Sequence, residues 1–207
     1  MIKIITIERE YGCGGGEIAR KIADRLGWTL WDQLLTNEIA RLIDCDSAEI
    51  KCREERIDPL YYRLFKSIMR GSFEGSANVQ RLKLLDADSI FRLTQRVVQK
   101  AGAAGNCVIV GRGSQHFLRD RNDTLHVFLY APREDKVRRL IRGGMGEAEA
   151  EEAVDTVDSE RAAFIDRYFQ IEWPNRSVYH AMLNTAVGDE LVIQTILNLK
   201  QALEKTT

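Results

Sequence analysis

The chain has 207 residues, of which 44% are hydrophobic and 29% are charged, and its formal net charge is −1. This length suits one domain with a sizeable core, and the balanced charge shows no basic excess of the kind that nucleic-acid-binding proteins carry. The apolar runs are too short to span a membrane, no secretory signal pattern opens the chain, and four scattered cysteines lack zinc-site spacing, so we expect a cytoplasmic protein without nucleic-acid or membrane partners.

Short apolar runs alternate with helical patterns along the first half of the chain. A buried strand is predicted from Ile2 to Ile7, followed by a helix whose apolar face ends at Gly27. The run WTLWD predicts a second strand, and a helix is expected from Leu34 to Ile43. Residues 44–86 contain charged helical stretches and no strand pattern, which indicates a helical insertion.

The second half of the chain shows the same alternation of strand and helix patterns. In chain order, the predictions are a helix from Asp88 to about Lys100, a strand in CVIVG, a short helical turn, a strand in LHVFLY, a basic helix from Arg133 to Arg142, a long helix from about Glu147 to Phe169, a strand in AMLNTAV and a helix from Glu190 to Leu203.

Five strands interleaved with helices predict a three-layer α/β fold with a five-stranded parallel sheet. In such sheets ligands bind beyond the carboxyl ends of the strands. The residues that follow the predicted strands are therefore the candidate site residues. They are Glu8 to Glu17, Asp32 and Gln33, Gly111 to Gly113 and Ala131 to Arg133.

A glycine-rich segment, EYGCGGGEIA, joins the first strand to the first helix. Its backbone N–H groups, together with those at the start of the helix, are suited to binding an anion. The segment matches neither G-x-x-x-x-G-K-[ST] nor a dinucleotide-binding fingerprint, so a tight turn that needs one glycine stays an alternative. The residues that we expect to contact a phosphate are Gly12, Cys13, Gly14, Gly15, Gly16 and Glu17.

The opening IITIEREYGCGGGEIARKIADRLGW resembles that of the cytidylate-kinase-like proteins, which are relatives of the P-loop nucleoside monophosphate kinases. It aligns without a gap against the form IITIDGPSGAGKGTLA, so that Gly15 falls on the lysine and Glu17 falls on the threonine that would hold Mg²⁺. The likeness covers most of the chain and is weakest from Asp44 to Asp86. The further similar segments are VIVGRGSQHFL, LHVFLYAPREDKVRRLIR, DTVDSERAAF and YHAMLNTA.

The resemblance implies one P-loop kinase-like domain over residues 1–207. Residues 44–86 would form its monophosphate-binding part, and residues 133–170 would form its lid. It also implies a nucleotide kinase that transfers a phosphoryl group from ATP, with Mg²⁺, to a nucleoside monophosphate or a similar small acceptor. Nucleotides are therefore the expected partners, and the sequence does not indicate an oligomeric state.

Phosphoryl transfer depends on cations placed around the transferred group. Arginine suits the acceptor side because it grips phosphate in a two-pronged way. A solvated basic helix face and a helix surface ion pair are the alternative interpretations. The catalytic candidates are Arg138, Arg139 and Arg142, and the acceptor-binding candidates are Asp32, Arg112, Asp158 and Arg161.

Because the loop lacks the lysine, three classes of function stay open. One of them is an interaction protein that retains only the fold. Loss of one charge-stabilising donor costs ~3–4 kcal/mol, but Arg9, Arg20 or Lys21 could replace it and Glu17 could ligate Mg²⁺, which predicts retained kinase activity. The alternative is a nucleotide-binding or regulatory module without catalysis. A lysine restored at Gly15 is expected to tighten triphosphate binding if the loop keeps P-loop geometry.

Overall fold

The computed structural model describes residues 1–32, 34–35, 37–39, 41 and 87–206. The predicted insertion at 44–86 lies outside these residues, as does part of the helix predicted from Leu34 to Ile43. The elements are β1 (Ile4–Arg9), α1 (Gly15–Leu26), β2 (Thr29–Trp31), α2 (Ala87–Ala104), β3 (Cys107–Val110), α3 (Ser114–Phe117), β4 (Thr124–Tyr130), α4 (Arg133–Arg142), α5 (Glu147–Phe169), β5 (Ala181–Asn184) and α6 (Asp189–Thr206), with short 3-10 helices at Arg176–Val178 and Thr185–Val187.

The five strands form one sheet in the order β2-β3-β1-β4-β5, and every neighbouring pair is parallel. The central strand, β1, is buried along its whole length. The prediction of a five-stranded parallel α/β sheet is therefore confirmed. Because all strands run in the same direction, the carboxyl ends of β1, β3 and β4 lie side by side at the same end of the sheet.

Alternating side chains of β1 divide the core between the two faces of the sheet. Ile5 and Ile7 belong to a cluster that includes residues of α1 and α6. Ile4 points to the other face, where it belongs to a cluster with residues of α2. Fully burying one such side chain stabilises the fold by about 1.5–3 kcal/mol. Helices cover both faces, which confirms the three layers.

β1 differs from its prediction at both ends. It begins at Ile4, where the backbone N–H donates to the carbonyl of Asp123, and it continues in register with β4 through Glu8 and Arg9. Both charged side chains are buried. The sequence pattern ends the strand at Ile7 because buried charges are costly without partners. Here the strand carries two charged residues into a polar cluster at the edge of the sheet.

The helices follow their predictions closely. α4 and α5 have the predicted bounds, and α1 ends before Gly27, whose φ is 64°. Asp88, the first residue of the helix predicted there, lies within the first turn of α2 because the helix begins at Ala87. No helix in the described part of the chain is long and apolar enough to cross a membrane.

Candidate functional site

The glycine-rich loop between β1 and α1 is held in place from several sides. Gly12 and Gly14 have φ angles of 78° and 83°, which favour glycine. The Thr185 hydroxyl donates to the carbonyl of Cys13 at 2.7 Å, and the buried Cys13 thiol lies 3.6 Å from the carbonyl of Leu129. No side chain caps the start of α1. The first N–H groups of this helix have no intrahelical acceptor and are therefore suited to an external anion.

An open cleft of about 680 Å³ lies in front of this loop. Its volume is within the range of small-molecule sites, about 300–1,000 Å³. Its walls come from the glycines of the loop, from Glu17 on α1, from Arg139 on α4 and from Arg161 on α5. The turn from Gly143 to Met145 between α4 and α5 closes one side.

Arg139 is the predicted catalytic arginine that reaches the loop. A Cβ atom added to Gly14 would lie 2.2 Å from Nη1 of Arg139, so the guanidinium occupies the space that a side chain at this position would need. Asp189, at the start of α6, accepts hydrogen bonds from Nη2 at 3.0 Å and from Nη1 at 3.3 Å. Arg138 is paired with Asp135 and is exposed. The described contacts therefore place Arg139 against the loop and pair Arg138 with a residue of its own helix.

Arg142 is exposed at the end of α4. It lines a second recess of about 230 Å³ together with Arg138 and Arg139, opposite Thr185 and Gly188. The three predicted catalytic arginines thus share one side of α4. Arg139 also lines the larger cleft in front of the loop, whereas Arg138 and Arg142 line the smaller recess.

Glu17 lines the cleft and forms ion pairs along the exposed side of α1. Its oxygens accept hydrogen bonds from Arg20 at 2.5 Å and 3.2 Å, and Lys21 is 3.8 Å away. The bond from Arg20 lowers the pKa of the Glu17 carboxyl. Arg20 also reaches Asp24. Arg20 and Lys21 are therefore engaged on the outside of the helix, and exposed pairs of this kind contribute little stability.

Three arginines converge beneath the loop. Arg9, Arg112 and Arg161 come from β1, from the turn after β3 and from α5, and each is at most 5% exposed. All three line one small cavity with Glu8 and Trp173. Burial, together with the charge of Arg9, lowers the pKa of both Arg112 and Arg161 to about 10. The cluster is therefore positively charged at neutral pH, and a buried cluster of like charges attracts an anion.

Carboxylates on the same edge of the sheet offset part of this charge. Asp32, at the end of β2, is buried, and its charge favours the protonated form of Arg112. One oxygen of Glu8 is 3.5 Å from Nη1 of Arg9. The other oxygen accepts a hydrogen bond from Gln115 at 3.3 Å. Both acids therefore orient arginines of the cavity.

Asp158 connects α5 to the loop and to α4. Its Oδ1 accepts a hydrogen bond from the backbone N–H of Tyr11 at 2.7 Å and lies 3.5 Å from Nη1 of Arg161. Its Oδ2 is 3.0 Å from Nζ of Lys136, which also lies 3.0 Å from Glu10. Burial lowers the pKa of Lys136, but the two carboxylates outweigh burial and raise it overall. Lys136 is thus a charged group that ties the loop to two helices.

The structure brings the four predicted acceptor-binding residues to one region, since Arg112 and Arg161 share a cavity and Asp32 and Asp158 interact with them. Sequence reasoning missed the positions of Lys136 and Asp189 as ion-pair partners. The burial of Arg9 in this cavity is likewise not evident from the apolar pattern of the sequence. The available signal was a charged pair, Glu8 and Arg9, at the end of an otherwise apolar strand.

The comparison with protein families decides the relationship that the opening sequence suggested. The cytidylate kinase-like family matches residues 4–187. The chain belongs to this family. No curated protein matches the chain.

Solved structures share the fold of this family member over nearly its whole length. An uncharacterized protein from Eubacterium ventriosum has a TM-score of 0.69 and 21% identity, covering 98% of this chain and 99% of that one. Shikimate kinase from Acinetobacter baumannii, in complex with shikimate, has a TM-score of 0.51 and 18% identity, covering 98% and 94%. Shikimate kinase from Bacteroides thetaiotaomicron has a TM-score of 0.50 and 17% identity, covering 99% of both chains. These likenesses show that the chain shares its fold with these solved structures.

Proposed function

We propose that the protein is a phosphotransferase that moves a phosphoryl group from ATP to a nucleoside monophosphate or a similar small anionic acceptor. One observation carries this proposal. Arg9 and Arg161 line both the cleft in front of the glycine loop and the small cavity that contains Arg112. The cavity itself measures about 10 Å³, which is room for about one water molecule, so the acceptor would bind at its rim. A triphosphate in the cleft and the anionic group of an acceptor at this rim would therefore meet at the same buried arginines, where charge on the transferred group needs to be offset.

On the donor side, the backbone amides of residues 12–16 bind the phosphates of ATP. The N-terminus of α1 adds roughly half a positive charge. Arg139, held by Asp189 against Gly14, adds a guanidinium whose charge Asp189 partly offsets. Residues 133–170 act as the lid in this proposal, and Arg138 and Arg142 approach the nucleotide when the lid closes.

On the acceptor side, Arg112 and Arg161 bind the anionic group of the acceptor, which is supported by their burial and by the cavity they share. Asp32 and Asp158 keep these arginines oriented and accept hydrogen bonds from the acceptor. The part that selects the acceptor is assigned, from the family resemblance, to residues 44–86. That assignment and the cytoplasmic location stay predictions.

Magnesium fits the chemistry of this site. Mg²⁺ is usually bound by one or two carboxylates plus substrate phosphates, and Glu17 supplies a carboxylate at the cleft. Its pairs with Arg20 and Lys21 are exposed, so exchanging them for a metal costs little. Within the described residues no group of three or more metal-binding side chains occurs, which fits a metal that arrives with the nucleotide. When bound, Mg²⁺ offsets charge on the donor phosphates.

A thermal-shift panel followed by a turnover assay tests the proposal. ATP with Mg²⁺ should raise the melting temperature, since a ligand at a hundred times its dissociation constant adds ~2.7 kcal/mol. Release of ADP should then depend on one member of a panel of nucleoside monophosphates and small phosphorylated or hydroxylated acids. If no nucleotide or phosphate stabilises the protein, the kinase proposal fails.

The absence of the loop lysine supports a second candidate, a nucleotide-binding module without catalysis. Gly15 stands where the kinase form has that lysine, and loss of such a group costs ~10²–10³ in rate. Stabilisation by ATP together with no ADP release for any acceptor in the panel would favour this candidate.

A further inference from the structure

We infer that Arg9 takes the place of the missing lysine and reaches the phosphates from the opposite end of the loop. This inference rests on the proposed function and names the cation that it requires. Against the form IITIDGPSGAGKGTLA, Arg9 falls on the first glycine and Gly15 falls on the lysine. Relative to that form, the two positions have exchanged a glycine and a long cation.

The side chain of Arg9 passes through the space where a lysine at position 15 would begin. A Cβ atom added to Gly15 would lie 2.9 Å from Cβ and 3.0 Å from Cγ of Arg9. Both atoms belong to the stem of Arg9 next to the backbone, which cannot swing away as the tip of a side chain can. A side chain at position 15 would therefore clash with Arg9, so this position requires glycine. The backbone has room for either an arginine at position 9 or a lysine at position 15.

A second glycine receives the other end of the same side chain. A Cβ atom added to Gly111, the residue after β3, would lie 2.0 Å from Nη1 of Arg9. The pairing of the strands explains why Arg9 lies against Gly111. β1 and β3 are neighbours, and the Gly111 N–H donates to the carbonyl of Ile7. Arg9 thus extends from the glycine loop to the turn that carries Arg112.

The direction of the Arg9 side chain determines which groups its guanidinium can contact. Arg9 lines both the cleft and the cavity, and its carbonyl accepts a hydrogen bond from Arg161 at 2.8 Å. A guanidinium is a planar fork that can bind two oxygens at once, whereas an ammonium is a point charge. Arg9 is therefore placed to contact the donor phosphates and the transferred group together.

A double-mutant cycle tests the exchange. The four proteins are the wild type, Arg9→Gly, Gly15→Lys and the double variant, compared by melting temperature without ligand and by titration calorimetry with ATP and Mg²⁺. Arg9→Gly should weaken ATP binding about 10- to 100-fold, the range for lost charged hydrogen bonds. Gly15→Lys should lower the melting temperature and bind no more tightly than the wild type. The double variant should recover both properties, because contacting residues are not additive.

Two further variants cover the case in which Arg9→Gly does not fold. Arg9→Met keeps much of the volume and should lose affinity, whereas Arg9→Lys keeps the charge and should retain most of it. The matched control is Arg25→Met, an exposed arginine of α1 that pairs with Glu190 and should leave ATP affinity unchanged.

The possible outcomes separate this inference from the proposed function. Wild type that binds ATP, together with Arg9→Gly or Arg9→Met variants that bind equally well, overturns the inference and leaves the kinase proposal standing. A Gly15→Lys variant that is as stable as the wild type and binds ATP more tightly also overturns it. Wild type that binds neither ATP nor inorganic triphosphate refutes the proposed function itself.

Discussion

Asp158 of α5 accepts a hydrogen bond from the backbone N–H of Tyr11 at 2.7 Å, so a helix near the end of the domain holds the glycine loop directly. The same carboxylate pairs with Lys136, and both side chains are mostly buried. Asp158→Ala should therefore lower the free energy of unfolding by about 3–5 kcal/mol, because it leaves a buried ammonium with less compensation. Urea denaturation measures this loss.

The control for that prediction lies one turn earlier on the same helix. Asp155 pairs with Arg133 at the surface, where its side chain is 61% exposed. Asp155→Ala should cost less than ~1 kcal/mol. Equal losses at Asp155 and Asp158 would contradict the assignment of Asp158 as the residue that fixes the loop.

A comparison of two glycines with similar backbone angles distinguishes the cost of backbone strain from the effect of a contact with a neighbouring side chain. Gly14 and Gly27 have φ of 83° and 64°, but only Gly14 has a neighbour, Arg139, in the space of a Cβ. Alanine at either position should cost about 1–2 kcal/mol of stability, because L-residues disfavour this region. Only Gly14→Ala should also weaken ATP binding, since it displaces the guanidinium. Melting temperature and calorimetry check both statements, and equal affinities for the two variants would contradict the role of Arg139.

The role proposed for Glu17 predicts that its substitution has opposite effects on ATP affinity with and without Mg²⁺. Glu17→Gln should weaken ATP binding when Mg²⁺ is present, because a ligand of the metal is lost. With a chelator in place of Mg²⁺ it should tighten binding, because a negative charge leaves the phosphate site. Calorimetry under the two conditions measures the signs. Asp24→Asn, an exposed acid on the same helix, serves as the control and should show neither change.

A buried histidine predicts that stability falls in mild acid. Nδ1 of His126 in β4 lies 2.7 Å from the Thr6 hydroxyl, and burial, followed by the charge of His180, lowers the pKa of His126 from 6.5 to about 4. Between these two values the unfolded chain binds more protons than the folded protein, so stability falls as pH falls, by up to about 3 kcal/mol.

The corresponding measurement is urea denaturation from pH 7 to pH 4. His126→Gln keeps a polar group beside Thr6 but does not titrate, so its stability should depend less steeply on pH. His116, whose pKa burial also lowers, should leave a residual slope. A slope unchanged in the variant would contradict this account.

Much of the fold could be predicted because its signals are local. Apolar runs marked all five strands, and α4 and α5 ended where the sequence changes to Gly143-Gly144 and after Phe169. The predicted end of β1 was two residues too early because its last residues, Glu8 and Arg9, are charged. A pattern of hydrophobicity cannot recognise charges that are buried for a site.

The candidate site could be predicted only in part, because side-chain direction is not local. Arg112 and Arg161 stand out by their position and by family resemblance. The course of Arg9 depends on Gly111, which lies far along the chain and reaches it only through the pairing of β1 with β3. Whether lysine at position 15 tightens ATP binding stays untested, and the position of the Arg9 side chain next to Gly15 leads us to expect that it does not.

The hydrogen bond from Thr185 to Cys13 joins residues that are 172 positions apart. Arg161 reaches back to the carbonyl of Arg9 over 152 positions, and Asp189 holds Arg139 from the start of the last helix. During synthesis the glycine loop therefore leaves the ribosome more than 150 residues before the groups that fix it. Under the proposed function, a nascent chain carries its candidate phosphate-binding residues long before they are fixed in place, and we expect no stabilisation by ATP until translation has passed Asp189 at the start of α6.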